Sequence, residues 1–414
     1  MQAKSVICLS ALVTVFTFSG CVGNNTAANT AAAPDLDSAK LPPVETNAPN
    51  SNYQPAFAGQ TRINGVKTTT PYKVEKLAEG LGRPWAVVPM PDGRLLITEK
   101  TGYMEIRGAD GTLIKKITGF PKVEDAGQGG MLDVAFDPDF SQNKTIYWSF
   151  SEKQGAGNLM AVAKGKISDD ESTILNPKVI FRAVPALNSK LHFGSRLVFD
   201  KDGNLFVSTG ERSILEGRKQ AQWLNADLGK IFKITKDGQP APGNPFIGQK
   251  DARPEIYAYG NRNPQSLDLH PVTGDLWEAE FGPRGGDELN LIKPGKNYGW
   301  PIITYGIEYS GAKIGDSIQQ KEGMEQPVYY WDPVISPGGM VFYTGDAIPE
   351  WKNNLFIGGL SSMHIVRLVI ENNKVVGEER LLEDQKERFR DVAQSNGALY
   401  AVTDSGKLFK ISKQ

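Results

Sequence analysis

From Tyr72 to the C-terminus the chain is written in short apolar runs broken by polar turns. "WAVVPMPDGRLLITEK", "LDVAFDPDF", "RLVFDKDGNLFVSTGE" and "ALYAVTDSGKLFKISK" show the pattern. The runs are strand-length and rich in Val, Ile, Phe and Tyr. β-Branched and aromatic side chains suit a pleated, half-buried surface, and Asp-Gly supplies the positive φ of a tight hairpin. Apolar positions at helical spacing are scarce; "EGRKQAQWLNA" reads as a short helix or a loop.

A loose unit recurs along this stretch. An apolar strand meets a Pro or Asp-Gly turn, a second strand follows, and a third ends in another Gly turn. Units start near Trp85, Leu132, Arg196, Ser266, Met340 and Asp391. Such a unit cannot bury both faces alone, so its copies must stack. The pattern predicts an all-β fold, a six-bladed β-propeller with four-stranded antiparallel blades, over residues 62–414. A pair of β-sandwiches is the rival; the likeness among units and the lack of a dividing linker favour the propeller. Sites in such folds sit on loops carried by a rigid scaffold. The long insertions at 169–190, 211–225 and 300–326 are therefore expected at one mouth of the central channel.

The N-terminus follows another pattern. "MQAKSVICLSALVTVFTFSGC" has a cationic start, a short apolar run and small residues before Cys21. That is the layout of an export signal over residues 1–20, too short to span a bilayer. "FSGC" resembles a bacterial lipobox, in which Cys21 becomes the lipidated first residue of the mature chain. An ordinary signal with an incidental Cys21 is the alternative. Val22 follows, which by analogy favours outer-membrane sorting facing the periplasm. Cys8 would leave with the signal, so no disulfide is expected. Residues 21–61 are rich in Ala, Asn, Pro and Thr and poor in large apolar side chains, and they read as a flexible tether.

Charge excludes one class of partner. With 46 basic and 47 acidic side chains and no like-charge run, nothing suggests a nucleic-acid face. The candidate chemistry is local. Of three histidines, His270 and His364 lie inside strand-like runs and read as structural. His192 precedes the strand "RLVF" and would project at a strand end, where a neutral imidazole can accept a proton. From spacing alone, a hydrogen-bonded turn histidine is the favoured reading. Gln128, in "GQGG", holds the same relative place in another unit. Arg262 and Asn263 stand side by side before Pro264 and suit an anionic or carbonyl-rich ligand, or an inter-blade pairing. "EFGPRGGDELN" joins an irregular Gly-rich backbone to Asp287 and Glu288, a donor set suited to a hard cation such as Ca2+. Arg388 and Arg390 alternate in an extended segment, so they point the same way. No His/Cys cluster has zinc or copper spacing, and no phosphate loop or nucleophile elbow is present.

Five of these segments, in order, resemble the glucose/sorbosone dehydrogenase family, above all its aldose sugar dehydrogenase branch. They are "GQGGMLDVAFDPDF", "HFGSRLVFDKDGNLFVSTGE", "GNRNPQSL", "FGPRGGDELNLIKPGKNYGWP" and "RFRDV". The resemblance implies a six-bladed propeller binding pyrroloquinoline quinone (PQQ) and Ca2+ at the channel mouth. It implies His192 as general base, taking a proton from an aldose hydroxyl while hydride passes from C1 to PQQ C5. Arg262 would stabilise the charge that develops on the quinone oxygen. Arg262, Asn263, Gln128, Tyr309, Arg388, Arg390 and the backbone of Gly359 would contact PQQ. Carbonyls of Gly282 and Pro283 would bind the catalytic Ca2+; Glu288 and the backbone of Tyr298 would bind a second, structural Ca2+. Gln128 and Trp331 would flank the sugar. The product would be a lactone, with electrons passing to an external acceptor, a quinone or cytochrome.

Two departures stand out. Ser361 occupies a place where the family usually has a PQQ-binding lysine, leaving Lys313 or Arg367 to substitute. Leu191 precedes the histidine where some members carry Asp. Two other functions compete: a lipid-anchored carbohydrate- or protein-binding propeller without redox activity, and a Ca2+-dependent sugar lactonase. The paired arginines speak against the lactonase.

Overall fold

A computed structural model describes residues 41–414. The signal peptide, Cys21 and the first part of the expected tether lie outside the described residues. Six blades, each built on four antiparallel strands, follow one another along the chain. Blade 1 spans Pro84–Pro89, Leu95–Glu99, Tyr103–Arg107 and Leu113–Ile117. Blade 2 spans Met131–Phe136, Thr145–Gln154, Gly157–Ile167 and Ile174–Arg182. Blade 3 spans Gly194–Phe199, Leu205–Thr209, Lys230–Ile234 and Ile256–Tyr259. Blade 4 spans Pro264–Leu269, Leu276–Glu280, Asp287–Ile292 and Tyr329–Trp331. Blade 5 spans Pro337–Phe342, Leu355–Gly359, Ile365–Glu371 and Lys374–Leu381. Blade 6 spans Phe389–Ser395, Ala398–Thr403 and Leu408–Lys413, and Tyr72–Ala78 completes it.

The first strand of each blade touches that of the next, and the sixth returns to the first. The ring is closed, so the fold is the expected six-bladed propeller. The shared strand of blade 6, from both chain ends, closes it and removes the free edges that would invite aggregation. The stretch "EGRKQAQWLNA" supplies a short helix, Leu215–Gln220. Among the described residues no helix is long and apolar enough to cross a membrane.

Apolar faces of neighbouring blades supply the core. One cluster joins Trp85 of blade 1, Tyr147 and Val162 of blade 2, and Leu197 and Phe232 of blade 3. Truncating one such side chain to Ala costs about 2–5 kcal/mol. Polar stitches fix the blades around the axis. Asp391, Asp133 and Asp268 each accept a backbone N–H from the next blade, at Val87 (2.8 Å), Leu197 (2.7 Å) and Phe342 (2.8 Å). Arg196, buried in the channel, bridges Asp133 at 3.1 Å and Asp391 at 3.2 Å. Buried charge is tolerated there because each ion has a partner.

One expected boundary is corrected. Residues 41–61 are not a free tether. Leu41–Pro43 pairs with Asn64–Gly65, which extends blade 5 to six strands. Gln60 is fully buried, and Asn50 and Ser51 bond to Asp332. The stretch lacks large apolar side chains, but its amides and hydroxyls find a buried carboxylate and backbone carbonyls instead. Composition signals missing hydrophobic burial; it does not reveal hydrogen-bond partners far along the chain.

Candidate active site

In an antiparallel blade, the start of the first strand and the end of the second lie at the same end. That geometry builds the mouth. Arg83, Gln128, His192, Arg262 and Arg388 stand at or just before first strands; Lys100, Glu211, Phe281, Leu360 and Asp404 follow second strands.

His192 is buried, with its backbone at φ 49°. The left-handed region is costly for a side chain with a Cβ, so several bonds over-determine it. Its N–H donates to Gln128 Oε1 at 2.7 Å. Its carbonyl accepts the Arg212 N–H at 3.2 Å. Its Nδ1 lies 2.6 Å from Glu211 Oε1. Gly210 lets this approach happen: a Cβ there would lie 2.3 Å from the His192 carbonyl oxygen. Burial first, and then the Arg262 charge, hold the imidazole down to about 4, while Glu211 pulls the other way. His192 is therefore neutral at physiological pH. With Nδ1 engaged by a carboxylate, Nε2 is the nitrogen left to accept a proton. The second carboxylate oxygen of Glu211 is buried without a partner. Sequence reading missed Glu211. Comparing the residues after second strands from blade to blade would have singled it out.

Arg262 and Asn263 join this cluster. The Arg262 carbonyl accepts the Glu211 N–H at 2.9 Å, and Asn263 Oδ1 accepts the Gly194 N–H at 3.0 Å. Arg262 Nη1 donates to the carbonyls of Phe281 (2.9 Å) and Gly282 (2.6 Å). Trp300 lies against its guanidinium, 5.1 Å from ring centroid to Cζ.

A cavity of about 350 Å³ opens at the mouth beside Gln128. Its lining includes Lys100, Gln265, Phe281, Leu360, Arg388 and Arg390. The two arginines do point the same way, and both reach Asp404, at 2.9 Å from Arg388 and 2.8 Å from Arg390. Arg83, also in the lining, pairs with Asp125. Lys100 donates to the Gly127 carbonyl at 2.7 Å. Burial, then Arg390 and Arg83, hold its amine down to about 8.

Next to it, sharing Phe281, is a void of about 10 Å³. Glu280, Gly282, Pro283, Glu288 and Tyr298 line it, and the space is on the scale of one water or ion. Four buried carboxyls crowd here: Glu278, Glu280, Asp287 and Glu288. Burial pushes Glu280 and Asp287 up to about 7. Glu278 and Glu288 are raised further, by burial and by the Glu280 charge. Glu278 Oε1 and Asn290 Oδ1 have no hydrogen-bond partner. Among the described residues no three His, Cys, Asp or Glu side chains converge on one metal position. A cation here would need backbone carbonyls as well as carboxylates.

Three expected positions fall elsewhere. Trp331 is buried in the apolar core between blades 4 and 5, beside Tyr329. As the end of a blade's fourth strand it faces the neighbouring sheet, so it is not a wall of the mouth. Tyr309 is 70% exposed on the 300–326 insertion and does not line the mouth cavity. Gly359 lies one residue behind the lining residue Leu360. Neither suggested substitute for the missing lysine reaches the cavity. Arg367 is buried against Glu379 at 2.7 Å, and Lys313 is exposed on the insertion. Lys100 does face the cavity, together with Arg83, Arg388 and Arg390.

A family model described as glucose/sorbosone dehydrogenase matches residues 81–410. The chain belongs to that family. An aldose sugar dehydrogenase from Escherichia coli (strain K12) is 42% identical over 345 residues, covering 82% of this chain and 92% of its own. The apo-form crystal structure of the soluble aldose sugar dehydrogenase from Escherichia coli superposes with TM-score 0.79 at 41% identity, over 83% of this chain and 100% of that one. The PQQ-bound form of an aldose sugar dehydrogenase from Streptomyces coelicolor superposes with TM-score 0.68 at 26% identity, over 84% and 99%. The His192–Glu211 pair is linked through Gln128 to the cationic cavity, and Arg262 lines the acidic void.

Proposed function

We propose that this chain oxidises aldose sugars at C1 to lactones, with PQQ in the mouth cavity and Ca2+ in and around the acidic void. The observation that carries the reading is the His192–Glu211 pair. A neutral imidazole, held at Nδ1 by a carboxylate, is tied by its backbone N–H to Gln128, which lines a cavity rich in cations. PQQ is a tricarboxylate, and Arg388, Arg390 and Lys100 suit carboxylates. The crowded carboxyls and orphan oxygens of blade 4 suit a hard cation.

When bound, the quinone supplies the hydride acceptor. The chain's own residues do the rest. His192 Nε2 takes the proton of the anomeric hydroxyl, and Glu211 stabilises the imidazolium that forms. Arg262 is a fixed positive charge beside the reacting centre. Its bond to the Gly282 carbonyl means that a cation on that oxygen would compete with it. Gln128 holds the His192 backbone and lines the sugar's approach. Electrons leave to an external acceptor, a quinone or cytochrome. Export and lipid anchoring at Cys21, with the propeller in the periplasm, complete the proposal.

Reconstitution tests it. The purified chain is loaded with PQQ and Ca2+ and given several aldoses with a redox dye. Dye reduction is expected, and His192→Ala should lower it by a factor of about 10²–10⁴, the usual worth of a general base. No reduction with any aldose, together with no PQQ uptake, would leave a binding propeller without redox activity; Ser361 in the usual lysine position favours that second reading. Lactone hydrolysis without PQQ would point to a lactonase.

A further inference from the structure

Residues 45–62 form a strap ahead of the family-matched region 81–410, and its contacts converge on Asp332. This carboxylate is buried just past the last strand of blade 4. Its Oδ1 accepts the Asn50 N–H and side-chain amide, both at 2.8 Å. Its Oδ2 accepts the Ser51 N–H at 3.0 Å and lies 3.1 Å from the Ser51 hydroxyl. Arg62 donates to the Asp332 carbonyl at 2.7 Å.

The other side of the same carboxylate supports the cation loop. Gly285, at φ +83°, lies so close that a Cβ would sit 2.8 Å from Asp332 Oδ1. The Gly286 N–H donates to the Trp331 carbonyl at 2.9 Å. Arg284 and Ile307 exchange backbone bonds at 2.9 and 3.0 Å. Arg284 Nε donates to Asn50 Oδ1 at 3.1 Å. The strap also grips both ends of the insertion. The Ser51 hydroxyl lies 3.1 Å from the Tyr305 carbonyl oxygen, and Gln60 donates to the Pro327 carbonyl at 2.9 Å. The Tyr305 hydroxyl donates to Gln60 Oε1 at 3.0 Å.

We infer that the strap is a brace that holds the Gly282–Asp287 loop and so sets the cation affinity of the void beneath it. Asn50, Ser51 and Asp332 are positioning residues; none touches the void. Gly-rich backbone has many conformations to lose on ordering. A brace that removes them in advance lowers the cost of binding. The coupling rests on the proposed Ca2+ reading; the ordering of the loop does not.

The test uses the full chain carrying Asn50→Ala with Ser51→Ala. Amide hydrogen exchange is followed at Arg284, Gly286 and Ile307, and Ca2+ affinity by calorimetry without PQQ. Exchange at these three amides should be about tenfold faster, while Leu197 and Phe342 on the inner strands keep wild-type rates. Ca2+ binding should weaken about tenfold. Unchanged exchange at the three amides would overturn the brace, and so would equal acceleration on the inner strands, which reports general destabilisation. Faster loop exchange with unchanged Ca2+ affinity would overturn the coupling. If the wild-type chain takes up no Ca2+, the cation reading falls, and exchange alone decides the brace.

Discussion

Two sides of one mouth carry opposite charge by the same structural means. On the side of blades 6 and 1, Arg388, Arg390, Arg83 and Lys100 reach a cavity open to solvent. The three arginines are held by carboxylates, Asp404 and Asp125. On the side of blade 4, Glu278, Glu280, Asp287 and Glu288 are buried; burial raises all four carboxyls, and like-charge repulsion adds to it at Glu278, Glu280 and Glu288. The cationic side is solvated and shaped in advance. The acidic side is frustrated, and a cation would relieve it. Near-zero net charge thus hides two local fields of opposite sign at one mouth.

The largest expected effect breaks the acidic side. Glu288→Gln keeps the shape of the void and removes the carboxyl that could ionise against a cation. Ca2+ affinity should fall about a hundredfold, because ligand charge tunes such sites over decades. The cation-free protein should melt at a higher temperature, because a buried carboxyl under like-charge repulsion has gone. Calorimetric titration and thermal unfolding with and without Ca2+ check both signs. A lower melting temperature without Ca2+ would mean that the repulsion is not there.

The cationic side should respond less. Arg390→Ala is expected to weaken PQQ binding about tenfold, because its guanidinium is partly solvated. Asp404→Asn should act in the opposite direction, because it frees both guanidiniums for the ligand. Fluorescence titration of the chain with PQQ reads both. If both substitutions weaken binding, Asp404 matters chiefly as the scaffold that aims the arginines.

How far the sequence shows this contrast depends on the residue. The unit starts read near Trp85, Leu132, Arg196, Ser266, Met340 and Asp391 lie within a few residues of the observed first strands, because each is an apolar run closed by a strong turn. Closure of blade 6 by Tyr72–Ala78 left no local trace, since pairing between chain ends is not a local pattern. His192, Gln128, Arg262 and Asn263 were legible because they precede first strands in register. Glu211, Lys100 and Asp404 were not, although they follow second strands with the same regularity. Trp331 was expected beside the sugar only through the resemblance; the structure buries it, at the end of Tyr329–Trp331, in the core between blades 4 and 5. The strap was missed because its partners are polar and lie more than two hundred residues away.

The smallest effect concerns pH, and there the two sides pull stability in opposite directions. His192 has its imidazole lowered to about 4 from an ordinary 6.5. Between those values the unfolded chain binds a proton that the folded chain refuses. Stability from this group is therefore full above 6.5 and is lost as pH falls through about 4. Glu280 and Asp287 are raised to about 7, so they bind protons in the folded chain first and favour it as pH falls from about 7. Without Ca2+ these contributions offset each other. The two are separated by difference: wild type is compared with His192→Gln at pH 7 and pH 5.5. Between these values wild type should lose on the order of 1 kcal/mol relative to the variant. Urea unfolding at each pH measures it. An equal change in both proteins would mean that the folded His192 takes up its proton as readily as the unfolded chain does, and that burial does not hold the imidazole neutral.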